Sequence, residues 1–231
     1  MLGTIVNALA IVAGSLLGLV LQRGIGEQYK QTILHGVGLS ILLIGWKNAL
    51  LADNLLVVIL AMVIGGLLGE GLRIEDRLEA LGRWLEGRVA SKSGNTRSLA
   101  RGFVTASLVY CVGSMAIVGS LESGLSGQHQ TLFAKAILDG VISVVFASAM
   151  GIGVLFSSFA VLLYQGLLTL GAILLKPLLT SVAVAQMSSV GGLLIVAIGL
   201  NMLGLTTIRV GNLLPAIFLP LIYHLLRSWL G

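Results

Sequence analysis

One carboxylate in this chain sits where a carboxylate is expensive. Asp139 falls in the run Lys135-Ala136-Ile137-Leu138-Asp139-Gly140-Val141, several residues inside a segment long and apolar enough to cross a bilayer. A charged side chain at that depth costs roughly 2.5–3.5 kcal/mol on insertion scales, so Asp139 must be protonated, paired or wetted. Lys135 stands one helical turn earlier on the same face and is its local partner; Ser143 continues that face one turn deeper. Two chemistries fit the spacing: an ion pair at a helix end near the outer interface, or a site for a cation or proton.

Other polar residues sit in apolar company. Ser107, Cys111 and Ser114 share a helical stripe, and Val112-Gly113-Ser114 is echoed by Val118-Gly119-Ser120. Small residues of this kind let helices approach closely; the alternative is a locally broken helix that exposes carbonyls to a permeant ion. Asn7 and Ser15 lie in the first apolar run with Gly14 and Gly18, and Asn7 is either an interhelical hydrogen-bond donor or part of a polar pathway. Glu70, in Gly69-Glu70-Gly71, closes the third apolar run and is expected to pair with an arginine. The transport or ion-binding candidates are thus Asp139, Lys135, Ser143, Ser114, Ser107 and Asn7. His35, His129 and His224 are scattered and read as structural or interfacial. The single cysteine, Cys111, allows no disulfide within the chain, and Cys-x-x-Cys and His-x-x-x-His spacings are lacking, so neither metal nor cofactor is expected. Nucleophile elbow, phosphate loop and acid cluster are equally lacking, which argues against an enzyme.

The elements that position these residues follow from composition. The chain has 231 residues, 57% hydrophobic and only 10% charged, with a mean hydropathy of +1.04; soluble domains carry about 25% charged residues. Uncharged runs cover 1–22, 54–69, 102–121, 140–175, 177–208 and 210–226. Since roughly 20 apolar residues cross the hydrocarbon as a helix, and nothing alternates as barrel strands do, the fold class is an all-α polytopic membrane protein. About eight crossings are expected, with seven to nine open: 3–21, 33–51, 54–72, 102–121, 132–155, 158–175, 190–205 and 212–229. The first lacks a basic n-region and reads as a retained span. Pro215 and Pro220 are expected to kink the last.

Charge sets orientation. One face would receive Arg23, Lys30, Arg73, Arg77, Arg83, Arg88, Lys92, Arg97, Arg101 and Arg209; the other only Lys47, Lys135, Lys176 and Arg227. The positive-inside bias places the first face in the cytoplasm and both termini outside. The net charge of +5 is therefore a membrane signature, and no nucleic-acid partner is expected. Within the cytoplasmic segment 73–101, Ile74, Leu78, Leu81, Leu85 and Val89 form one stripe, which predicts an amphipathic surface helix over 74–89. Ser91–Thr96 reads as a turn into the next crossing.

The chain also resembles itself. Gly36–Asn48 aligns with Val190–Met202, matching Gly38 to Gly192, Ile41 to Ile195, Ile44 to Ile198 and Gly45 to Gly199. Because the copies start at the first and sixth crossings, they would sit upside down relative to each other, as transporter repeats do. Chance likeness between Gly- and Leu-rich helices is the alternative. The repeat divides the chain into a first three-helix unit (1–72), the surface helix and linker (73–101), an inserted hairpin (102–156) and a second, inverted unit (157–231).

Five separated stretches also resemble a known family, the bacterial inner-membrane proteins of domain-of-unknown-function family 554, the YqgA-like proteins. They are Gly3-Thr4-Ile5-Val6-Asn7 with Gly14-Ser15; Gly65-Gly66-Leu67-Leu68-Gly69-Glu70; Phe103–Leu108 through Gly113–Ser120; and Lys135–Gly140 followed by Arg209–Ala216. The resemblance implies a multi-pass bacterial inner-membrane protein and favours Asn7, Ser114 and Asp139 as more than packing. It supplies no substrate. The expected function is transport of an ion or small solute, cation- or proton-coupled through Asp139; the alternative is a non-transporting scaffold, assembly or sensory protein acting through the 74–89 helix. The lipid bilayer is the one partner composition requires; a small cation or solute and a second copy of the chain fit beside it.

Overall fold

The computed structural model describes residues 1–22, 27–78, 80, 96–112 and 114–230, with the backbone alone at 27, 30, 96–98, 114 and 227–230. Among them every regular element is a helix: α1 Leu2–Gln22, α2 Glu27–Ala49, α3 Leu55–Leu72, α4 Thr96–Cys111, α5 Ser114–Leu125, α6 Gln130–Met150, α7 Gly153–Leu170, the short α8 Ala172–Leu175, α9 Ser181–Met202, a 3₁₀ helix Val210–Phe218 and α10 Leu219–Leu230. Only helices and closed barrels satisfy the backbone inside lipid, and this chain uses helices.

Among the described residues, five helices (α1, α3, α6, α7 and α9) are long and apolar enough to cross a membrane, and α4 with α5 makes a sixth if that bent pair is one span. The two other expected crossings are helical but weaker. In α2, His35, Lys47 and Asn48 dilute the apolar run. In the last, Pro215 sits inside the 3₁₀ segment and Pro220 follows it. Two prolines five residues apart remove donors from the α ladder, and the stretch Val210–Phe218 takes i→i+3 bonding. The expected turn at 156–158 falls earlier, at Gly151 (φ 78°) and Ile152, because a left-handed backbone selects glycine. Helix α6 accordingly ends at Met150 and α7 begins at Gly153, and the helix of the seventh expected crossing begins already at Ser181. Residues 74–78 are helical as expected; 79, 81–89 and the linker through Asn95 lie outside the described residues.

The outer surface is built for lipid. Leu17, Val20, Leu43, Leu67, Leu170 and Ile173 are all exposed, a girdle no water-soluble monomer of this size tolerates. Inside it α9 is the central post, with 78% of its apolar window buried, while α3 is peripheral at 22%. One end of the bundle carries Arg73, Arg77, Arg101 and Arg209, and is called the arginine-rich end below.

Contacts fix how the helices run. Gly3 faces Leu132, Gly14 faces Gly140 and Gly18 faces Val144 and Ala147, so α1 and α6 are parallel neighbours. Thr4 meets Thr169 and Asn7 meets Gln165, so α7 runs antiparallel to α1. In α2 and α9 Gly38 faces Gly199 while Gly45 faces Gly192, again antiparallel. Gly65 against Ala216 and Gly69 against Asn212 pair α3 with the 3₁₀ helix in the same sense. At Gly14, Gly18, Gly45, Gly65, Gly69 and Gly192 a Cβ would enter the neighbouring backbone, whereas at Gly3 and Gly38 it would press on the side chains of Leu132 and Leu203.

Candidate functional site

Asp139 lies nine residues beyond Gln130, roughly 14 Å along the α6 axis. Asp139 is the tenth of the 21 residues of this helix and so stands near its middle. Lys135 Nζ donates to both carboxylate oxygens, at 2.8 Å to Oδ1 and 2.7 Å to Oδ2. Both side chains are buried. The i, i+4 spacing on one straight helix makes this geometry available without strain.

The pair is anchored from two other helices. Asn7 Nδ2, on α1, donates to Asp139 Oδ2 at 3.0 Å and to Gln165 Oε1, on α7, at 3.3 Å. Thr4 and Thr169 hydroxyls meet at 3.3 Å one turn farther along the same interface. Exchanging O and N in either amide would set like poles together, so the network fixes both orientations. Two buried atoms beside the pair, Asn7 Oδ1 and Gln165 Nε2, have no partner among the described residues. Buried amide atoms are rarely left so. On the other side of Asp139, Ser143 bonds the Tyr110 hydroxyl of α4 at 2.8 Å, and Tyr110 stacks on Phe146. On the far side of Lys135, Thr131 donates to Glu122 at 2.6 Å. Thr131, Lys135, Asp139 and Ser143 thus make one polar stripe down α6, each residue four from the next.

Of the residues expected from the sequence, Asp139, Lys135, Asn7 and Ser143 converge. Ser107 does not: it lines a separate cavity with an unpartnered hydroxyl. The Ser114 side chain is outside the described residues; the segments Leu99–Cys111 and Met115–Leu125 beside it are bent by 61° to each other. Gln165, Tyr110, Thr4 and Thr169 were not singled out. Gln165 is the residue a hydropathy reading could have found, as the one primary amide in the run 140–175.

A second polar cluster ties the arginine-rich end. Asn212 Nδ2 donates to Glu70 Oε2 at 2.6 Å, and its Oδ1 accepts the Glu75 N–H at 2.8 Å. Glu75 Oε2 accepts from Gly211 N at 2.6 Å, and Arg209 reaches Glu70 at 3.4 Å. Glu70 thus has the arginine partner expected of it, but exposed and long, so worth little; Asn212 is the stronger tie. Asn212→Ala should cost about 1–3 kcal/mol, because it orphans the Glu75 N–H. Faster hydrogen exchange at that amide is the readout, and unchanged exchange would remove Asn212 from this role.

Lipid-facing helices around a buried, interhelically anchored charge pair define a polytopic α-helical membrane protein. The chain belongs to the family described as "Protein of unknown function (DUF554)", which it matches over residues 2–225. It is 33% identical over 225 residues to "Uncharacterized membrane protein YdfK" of Bacillus subtilis (strain 168), covering 95% of this chain and 94% of that one. It is 31% identical over 222 residues to "Uncharacterized protein YqgA" of Escherichia coli (strain K12), with the same coverage of 95% and 94%. No solved structure matches the chain.

Proposed function

We propose that this protein is a secondary transporter of an ion or small solute in the bacterial inner membrane, with no enzymatic step, and that Asp139 couples transport to a cation or proton. The observation that carries the reading is the Lys135–Asp139 pair held from α1 and α7 beside two unpartnered amide atoms. A buried ion pair serving stability alone could be replaced by packed apolar groups at no loss. Here Lys135 is the resident cation: a proton or metal cation arriving at Asp139 displaces it, and its departure lets Lys135 return. Asn7 Oδ1 is an oxygen within the same cluster that an arriving cation could use.

The packing supports an inverted repeat. Under the alignment of Gly36–Asn48 with Val190–Met202, the Gly38–Gly199 and Gly45–Gly192 contacts exchange into each other, as contacts about a twofold axis in the membrane plane must. The first and sixth expected crossings (α1 and α7), and the third and eighth (α3 and the 3₁₀ helix), also pack antiparallel. Positive-inside charge makes the arginine-rich end cytoplasmic.

The test is electrical. Purified protein in liposomes on a solid-supported membrane is challenged with jumps in pH, Na⁺, K⁺ and a panel of small solutes. Wild-type currents are expected for at least one jump, falling about tenfold or more in Asp139→Asn, on the scale of losing one charge-assisted bond of 1.5–3 kcal/mol. Wild-type vesicles as silent as protein-free ones favour the scaffold acting through the 74–89 helix. Currents unchanged in Asp139→Asn remove Asp139 from the mechanism.

A further inference from the structure

Two cavities lie side by side, sharing Leu78 and Val104, and the Asp139 cluster contributes to neither. The inner one has a volume of 270 Å³ and an almost wholly apolar wall. It runs from Leu78 past Phe103, Tyr164 and Met187 to Val112, at the break between α4 and α5. Packing of Gly191 on Val112 holds that floor in place. Two hydroxyls in the wall, Ser107 Oγ and Ser188 Oγ, are buried with no partner among the described residues, and Ser188 is only 1% exposed. A buried hydroxyl without a partner is costly, and these two face one apolar space. The outer cavity, 490 Å³, shares Leu78 and Val104 with the inner one as walls and is polar.

The charges of the outer cavity sort into two groups. Arg209 is engaged with Glu70, and Glu75 with Gly211 N. Arg101 and Asp76 also line it, and neither side chain has an ion pair or hydrogen bond among the described residues, with each other or with anything else. One guanidinium and one carboxylate therefore face the same wet space without neutralising each other. A ligand matched to this arrangement carries an anionic and a cationic group at one end and an apolar body at the other. Size limits the body: a dry cavity of about 150 Å³ takes benzene, so 270 Å³ takes a bicyclic ring or a branched alkyl group of similar bulk. The serine hydroxyls can bond one polar atom on that body.

We propose that the paired cavities bind an α-amino acid with a large apolar side chain, its carboxylate on Arg101, its ammonium on Asp76 and its side chain in the shaft between Phe103, Tyr164 and Met187. The proposal names the solute of the transport reading and rests on it for physiological sense, but its test is equilibrium binding without flux. The two cavities share no lining residue with the Lys135–Asp139 pair or its partners Asn7 and Gln165, so solute and coupling ion would occupy different sites.

The experiment uses the full chain in lipid nanodiscs and radiolabelled L-tryptophan, with L-leucine, indole-3-propionate and tryptamine as competitors. Saturable binding is expected, with L-leucine competing and each single-charge analogue competing about tenfold less well than L-tryptophan, one missing charge-assisted bond being worth 1.5–3 kcal/mol. Arg101→Gln should abolish the advantage of L-tryptophan over tryptamine, and Asp76→Asn its advantage over indole-3-propionate. Each variant should leave the other comparison intact, a cross that unspecific partition into the nanodisc does not give. Ser188→Leu fills the shaft and should abolish binding; Ser107→Leu repeats the test on another helix, and only variants monodisperse on gel filtration are scored. Equal competition by all three indoles, no saturable binding in the wild type, or a stoichiometric phospholipid lost from Ser188→Leu in place of tryptophan would each overturn the proposal. Lost binding with Asp139-dependent currents intact overturns the ligand class alone; lost currents with intact binding overturns the coupling alone.

Discussion

Lys135→Met alone, and Asp139→Leu alone, are each expected to destabilise the folded protein by about 3–5 kcal/mol, whereas the double variant should regain most of that loss. Each single change strands one charge among buried neighbours, Lys135 and Asp139 being 7% and 4% exposed. The double change removes both charges and supplies apolar atoms of similar bulk. A residual cost of about 1 kcal/mol should remain in the double variant, because Asn7 Nδ2 loses its carboxylate acceptor and keeps only Gln165. Reversible unfolding by detergent titration measures all three. Losses that simply add would mean the charges are stabilised independently, and a Lys135→Met protein as stable as wild type would mean the pair is not desolvated. Together with the current measurements this separates stability from activity: a double variant that folds well and carries no current has lost a working part.

The second large effect concerns glycine. Gly45→Val and Gly192→Val should each cost about 2–3 kcal/mol, and the two together less than their sum. A Cβ at Gly45 would stand 2.9 Å from the Gly192 carbonyl oxygen, and one at Gly192 would stand 2.7 Å from the Gly45 carbonyl oxygen. Either substitution wedges α2 from α9 at the same place, so once one is present the second finds room already made. Gly36→Val on the same helix is the control, since nothing lies within 4 Å of an added Cβ there. Full additivity in the double variant would show that the two contacts do not share a displacement.

The class and the charge pair were legible in the sequence because both rest on local rules. Uncharged runs of bilayer length require helices, and a lysine four residues before a buried aspartate on one helix must face it. The anchors of the pair were not legible. Gln165 and Asn7 are 158 residues apart, and no periodicity says that α1 lies between α6 and α7. Ser107 and Ser143 look alike in sequence, each a serine in an apolar run, yet one bonds Tyr110 and the other faces a cavity. Only the rotation of each helix about its axis, set by glycine contacts with distant segments, separates them. The 3₁₀ geometry of Val210–Phe218 was hidden for a related reason: proline signals an interrupted ladder but not the helix type the chain adopts around it.

The long reach of Asn7 bears on how the protein is made. Its carboxylate partner lies 132 residues downstream, and translation supplies some 5–20 residues per second. The first helix therefore enters the membrane roughly ten seconds before α6 exists. For that interval Thr4, Asn7 and Ser15, all fully buried in the finished bundle, have no helix to face. The inward side of α1 is thus a surface that the insertion machinery, or the first helices beside it, must shelter until the ribosome has passed Asp139.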